Sequence, residues 1–87
     1  MNEEKIGEIV DYFGKIGVAA IKITNGSLHV GDTIHIKGHT TDFQQKVESM
    51  QVEHKDVETA NPGDDIGIKV SEKARDKDTV YKVSSLD

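Results

Sequence analysis

Apolar residues recur at every second position in short stretches, and glycine- or asparagine-bearing turns close most of those stretches. Period-two alternation marks half-buried β-strands. Lys5 to Phe13 sets Ile6, Val10 and Tyr12 against Ile9 and Phe13, with Glu8 and Asp11 interleaved. Both sets contain apolar residues, so this strand is expected to be covered on both faces near its end. Gly14-Lys15-Ile16-Gly17 follows as a loop whose glycines permit positive φ. Val18 to Ile23 then carries Ala19, Ile21 and Ile23 on one face, and the short link predicts a hairpin.

Asn25-Gly26 is a strong turn dipeptide. Leu28, Val30 and Gly31-Asp32 lead into Thr33 to Lys37, with Ile34 and Ile36 inward, and Gly38 to Asp42 reads as polar loop. Phe43, Gln45 and Val47 alternate, but the pattern changes phase to Met50 and Val52. A phase change implies one extra residue, which predicts a β-bulge at Val47 to Met50. Val57 and Ala60 precede the turn Asn61-Pro62-Gly63-Asp64. A strand follows over Asp65 to Val70, where Gly67 leaves room for close approach. Ser71 to Asp78 reads as irregular, Thr79 to Val83 as a last strand, and Ser84 to Asp87 as a tail.

Composition sharpens this picture. Nine Ile and nine Val stand against two Leu and four Ala, and β-branched side chains suit a pleated sheet. The fold class is therefore all-β. Six or seven short strands predict a small closed antiparallel β-barrel, because closure removes aggregation-prone edges. Eighty-seven residues make one domain, residues 1–87, with its core over about 5–83.

Eleven basic side chains against sixteen acidic ones give a net charge of −5, and cysteine is absent. A general nucleic-acid coat, disulfides and thiolate chemistry are thereby excluded. No apolar run approaches the length of a membrane span, and Met1 to Lys5 is unlike a secretory signal. The expectation is a soluble cytoplasmic protein.

Three segments place Asp two residues before a β-branched aliphatic: Gly31-Asp32-Thr33-Ile34, Gly63-Asp64-Asp65-Ile66 and Lys77-Asp78-Thr79-Val80. Each is read as a turn feeding a strand, with Asp bonding nearby backbone N–H groups. His35 and His39 have a four-residue spacing that carries no geometry outside a helix. With His29 and His54 they are read as surface or rim histidines. Asp76-Lys77-Asp78 fails as a calcium loop because Tyr81 stands where that loop needs Gly. None of Ser27, Ser49, Ser71, Ser84 and Ser85 lies in a nucleophile elbow, and no phosphate-cradling glycine motif occurs. No enzyme, cofactor or metal is expected.

The framework as a whole resembles the second domain of the translational GTPases, the β-barrel of elongation factor Tu and its relatives. The residues that carry the resemblance are Gly14 to Val18, Gly26, Val30 to Ile34, Val47 to Met50, Ala60, Gly63 to Ile68 and Asp78 to Val80. Together they run from about Lys5 to Val83. The resemblance implies a binding module. In tRNA-delivering members one side of the barrel receives the aminoacylated 3′ end; elsewhere the domain touches ribosomal RNA or its own G domain. Carried onto this chain, that side comprises Tyr12, Gly14, Lys15, Ala20, Gln51, His54 and Asp65.

In such a pocket Tyr12 offers stacking, Lys15 a phosphate contact, and Gln51, His54 and Asp65 hydrogen bonds. The delivering factors carry Arg near Lys15 and an acid near Gln51, and Arg and Lys are not equivalent in planar recognition. The same barrel is also appended to collagenase-like peptidase family members that modify RNA. The resemblance thus implies a non-catalytic, translation elongation factor-like module contacting RNA, either a tRNA 3′ end or ribosomal RNA. The alternative is a protein-interaction subunit docking in trans onto a larger GTPase or RNA-modifying enzyme. Neither membrane nor DNA is expected as a partner.

Overall fold

A computed structural model describes residues 2–84. Ten strands follow one another: β1 (Asn2–Phe13), β2 (Val18–Ile23), β3 (Leu28–His29), β4 (Thr33–Lys37) and β5 (Asp42–Lys46), then β6 (Met50–Val52), β7 (Lys55–Val57), β8 (Thr59–Ala60), β9 (Asp65–Lys69) and β10 (Thr79–Ser84). Eight of them form one antiparallel sheet in the order β5-β4-β10-β1-β2-β9-β6-β7, while β3 and β8 pair separately. The all-β expectation holds. The expected tail at Ser84 to Asp87 begins inside β10, and residues 85–87 lie outside the described residues.

The inward faces build one aliphatic core. Ile21 and Ile23 of β2, Ile34 and Ile36 of β4 and Ile66 and Ile68 of β9 are all buried, as the alternation requires. In β1 the expected double coverage is replaced by bulges. Its register shifts between Lys5 and Gly7 against β10, and between Ile9 and Asp11 against β2. Each shift moves the inward set by one residue, so Ile6 and Ile9 are both buried while Val10 and Phe13 face solvent. Gly7 sits between the shifts, where a Cβ would lie 2.2 Å from the Lys22 carbonyl oxygen. Only glycine lets the two backbones approach that closely.

The three Asp turns form as expected. In each, the Asp carboxylate accepts a 2.8 Å hydrogen bond from the backbone N–H three residues earlier: Asp32 from His29, Asp64 from Asn61 and Asp78 from Arg75. The residue before each Asp has positive φ, at 102° for Gly31, 97° for Gly63 and 75° for Lys77. Lys77 is the one whose side chain resists that conformation.

The closed barrel does not form as a continuous ladder. Among the described residues β5 pairs only with β4, and β9 meets β6 through the single pair Gly67 and Gln51. The phase change at Val47 to Met50 interrupts the strand instead of bulging it, and Val47 and Met50 are both buried. The chain leaves β4 there and crosses to β9, so a kink takes the place of a ring of ladder bonds. The Gln45 amide spans the opening, donating to the Lys69 carbonyl at 2.8 Å and accepting from the Ser71 N–H at 2.7 Å.

Candidate functional site: an apolar groove on the outer sheet face

The Gly14–Gly17 turn joins β1 to β2, with Gly17 at φ 66° donating to the Phe13 carbonyl at 2.9 Å. This tight turn holds Phe13 and Ile16 outward at 47% and 63% exposure, among the largest apolar exposures described. A second hairpin, β6–β7, turns at Glu53 and His54, whose φ values are 51° and 67°. Two consecutive positive φ values match the twist of the flanking strands, although neither residue is glycine. Between these two tips lies a groove of about 310 Å³.

Its base is a row of residues across three strands. Ala20 of β2 pairs with Gly67 of β9, and Gly67 pairs with Gln51 of β6. The methyl group of Ala20 and the missing side chain of Gly67 leave the backbone open from outside. The Gln51 amide is held by donation to Asp56 at 3.0 Å, and Lys22 lies 3.6 Å from Asp65 at the rim. With Glu53 opposite, the groove is apolar at its base and acidic at its edge. It suits an apolar side chain accompanied by a cation.

Of the residues expected to form a site, Ala20, Gln51, His54 and Asp65 line this groove together. Tyr12, Gly14 and Lys15 do not. Tyr12 is half-buried against the core, Gly14 lies over its ring, and Lys15 is exposed at the turn. The sequence reading missed Phe13, Ile16 and Glu53. The signal for the first two was two large apolar side chains flanking a hairpin turn, where solvated residues are usual.

Elsewhere, His35 stands on the outer sheet face, where its partners largely cover it. Its side chain is 12% exposed, with Nδ1 2.7 Å from Glu3 and Nε2 2.5 Å from Asp42. The hydrogen bond to Asp42 and the contact with Glu3 raise its pKa against the opposing effect of burial, and the same bond lowers that of Asp42. Both ring nitrogens are engaged by carboxylates, so neither is available to activate a nucleophile. His29 stands 3.4 Å from the Ser27 hydroxyl and 3.0 Å from Thr59. The Ser27 contact is too long for an activated pair, and its orienting group is a neutral hydroxyl.

The sequence profile of the Elongation factor Tu domain 2 family matches residues 17–81, most of the chain. The chain belongs to that family. Among similar proteins, an uncharacterized protease of Methanocaldococcus jannaschii is 42% identical over 78 residues, covering 88% of this chain and 19% of the relative. A collagenase of Porphyromonas gingivalis is 44% identical over 78 residues, covering 88% of this chain and 22% of the relative. The chain thus spans about a fifth of the length of these relatives. The C-terminal domain of a Geobacillus thermoleovorans protein described as a U32 peptidase superposes with a TM-score of 0.86 at 21% identity, covering 93% of both chains.

These names overturn the translation-factor and RNA-binding reading, together with its alternative of docking onto a GTPase or RNA-modifying enzyme. The relatives and the structural neighbour are named for proteolysis. The physical reason is plain. The glycines, Asp turns and β-branched residues that carried the resemblance specify a backbone, and a backbone does not specify its ligand.

Proposed function

We propose that this domain is an accessory, non-catalytic part of a collagenase-like, U32-type peptidase, and that its outer groove holds a polypeptide segment. The segment carries an apolar side chain next to a basic one. The observation that supports the setting is the 42–44% identity to proteins named protease and collagenase, of which the chain covers only 19–22%. The reaction is assigned to the remaining four-fifths. Support for the ligand comes from the groove: Phe13 and Ile16 supply apolar surface at its mouth, Ala20 and Gly67 leave space at its base, and Glu53 and Asp65 supply negative charge. Burying apolar surface provides the attraction, and the acidic edge selects the neighbouring cation.

Titration of the isotope-labelled domain with an acetylated pentapeptide holding one phenylalanine between lysines tests the groove. Amide shifts are expected at Phe13, Ile16, Ala20 and Gly67, and the Phe13→Ser/Ile16→Ser pair should weaken binding about tenfold, a loss of about 1.4 kcal/mol. Silence up to about millimolar peptide, an affinity weaker than about 4 kcal/mol, rules the groove out. Incubation of the pure chain with labelled gelatin tests the other half of the reading. Cleavage that tracks with the chain through purification would make it catalytic after all.

A further inference from the structure

Gln45 is a polar residue in an apolar register. Phe43 and Val47 share its side of the chain and are buried in the core, yet Gln45 spends its amide on two backbone groups of another strand. Those groups, the Lys69 carbonyl and the Ser71 N–H, lie two residues apart at the exit of β9. That is the spacing with which one residue of a neighbouring parallel strand bonds a sheet edge. Along this side β9 meets β6 only at Gly67, and β5 has β4 as its only ladder neighbour among the described residues. A side chain stands where a strand would.

Neighbouring strands lie about 4.8 Å apart, and an extended glutamine side chain with a hydrogen bond at its far end reaches up to about two such spacings, the room one inserted strand requires. A cleft of about 440 Å³ opens at this point, with Lys46 and Lys69 at its borders and Glu48 and Ser49 on the kink between β5 and β6.

We propose that this seam is a strand-addition site, in which an extended polypeptide displaces the Gln45 amide and pairs its backbone with Lys69 and Ser71. The occupant's chemistry is given by the group already there. An amide that both donates and accepts is what a polypeptide repeats at every residue, and sheet edges are recognised through main-chain bonds of this kind. Lys46 and Lys69 favour neutral or acidic side chains on the incoming segment. The site stands on residues separate from the groove at Phe13 and Ile16, so either can fail without the other.

The test is a titration of the labelled domain with an acetylated, amidated hexapeptide of alternating valine and threonine with one central glutamate. A second titration uses the same peptide N-methylated at alternate residues. The expected result is shifts at the Lys69, Val70 and Ser71 amides and at the Gln45 side-chain amide, with the N-methylated peptide binding about tenfold more weakly. Gln45→Ala, which removes the resident competitor, should tighten binding several-fold; if that variant does not fold, the two wild-type titrations decide. Equal binding of both peptides, silence at those amides up to about millimolar, or shifts confined to Phe13 and Ile16 overturn the proposal. Self-association of Gln45→Ala in sedimentation, with no response to peptide, assigns the slot to a second copy and overturns it as well.

Discussion

Two stretches of the outer sheet surface solve the same problem in opposite ways. Over β5, β4, β10 and β1, His35 is clamped between Glu3 and Asp42 and packs near the Tyr81 ring, 6.1 Å between centroids and tilted by 41°. By strand register Lys5, Lys37 and Lys46 share that face with it. Over β2, β9 and β6, Ala20 and Gly67 leave the backbone nearly bare beside the Asp56-bonded Gln51, and Phe13 and Ile16 stand exposed next to them. Polar partners satisfy the first surface from within the chain; the second leaves its apolar groups to solvent. An unpartnered apolar stretch beside a satisfied polar one is where a ligand gains most from docking.

The contrast can be broken at several depths. The largest expected effect lies beneath both surfaces: Gly7→Ala drives a Cβ against the Lys22 carbonyl and should cost about 3 kcal/mol by denaturant unfolding. A loss under about 0.5 kcal/mol would mean that the β1 bulges are not held by that close approach.

The clamped surface should respond to pH. The His35 pKa is raised above 6.5, so its contribution is complete below that value and is lost as pH rises through the folded-state pKa. The Asp42 pKa is lowered below 3.8, so its contribution is present above that value and is lost as pH falls through the folded-state pKa. The clamp is therefore strongest between about 3.8 and 6.5. The unfolding midpoint should fall on the alkaline side, and His35→Gln should abolish that fall. An unchanged slope in His35→Gln would place the titrating group elsewhere.

Smaller effects sharpen the comparison further. Lys77→Gly relieves the one Asp turn whose positive-φ position is not glycine. A gain of about 0.5–1 kcal/mol is expected in thermal or chemical unfolding. The smallest effect belongs to the groove. Phe13→Ser and Ile16→Ser, at exposed positions, should change stability by less than about 0.5 kcal/mol while weakening peptide binding. A larger loss of stability would make these residues part of the fold.

How much was legible follows from how far each feature reaches along the chain. The Asp turns were readable because donor and acceptor lie three residues apart, as with His29 and Asp32. The strands were readable because alternation is written in consecutive residues, as in Thr33 to Lys37. The bulges in β1 were not, since Ile6, Ile9 and Val10 looked like two covered faces until their pairing with β10 and β2 was known. Four of the seven expected site residues do share a groove. The RNA they were expected to bind came from the family framework, which is common to domains that serve different proteins.

Taken alone, the sequence determined an all-β chain, its turns and the inward side of most strands, because local hydrogen bonds and period-two burial act over a few residues. Tertiary structure decided the rest. It brought Ala20, Gly67 and Gln51 into one row, carried Glu3 and Asp42 to opposite sides of His35, and set the Gln45 amide against Lys69 and Ser71. These meetings join residues distant in the chain, and only strand order and register, fixed by how the whole core packs, determine which distant residues become neighbours.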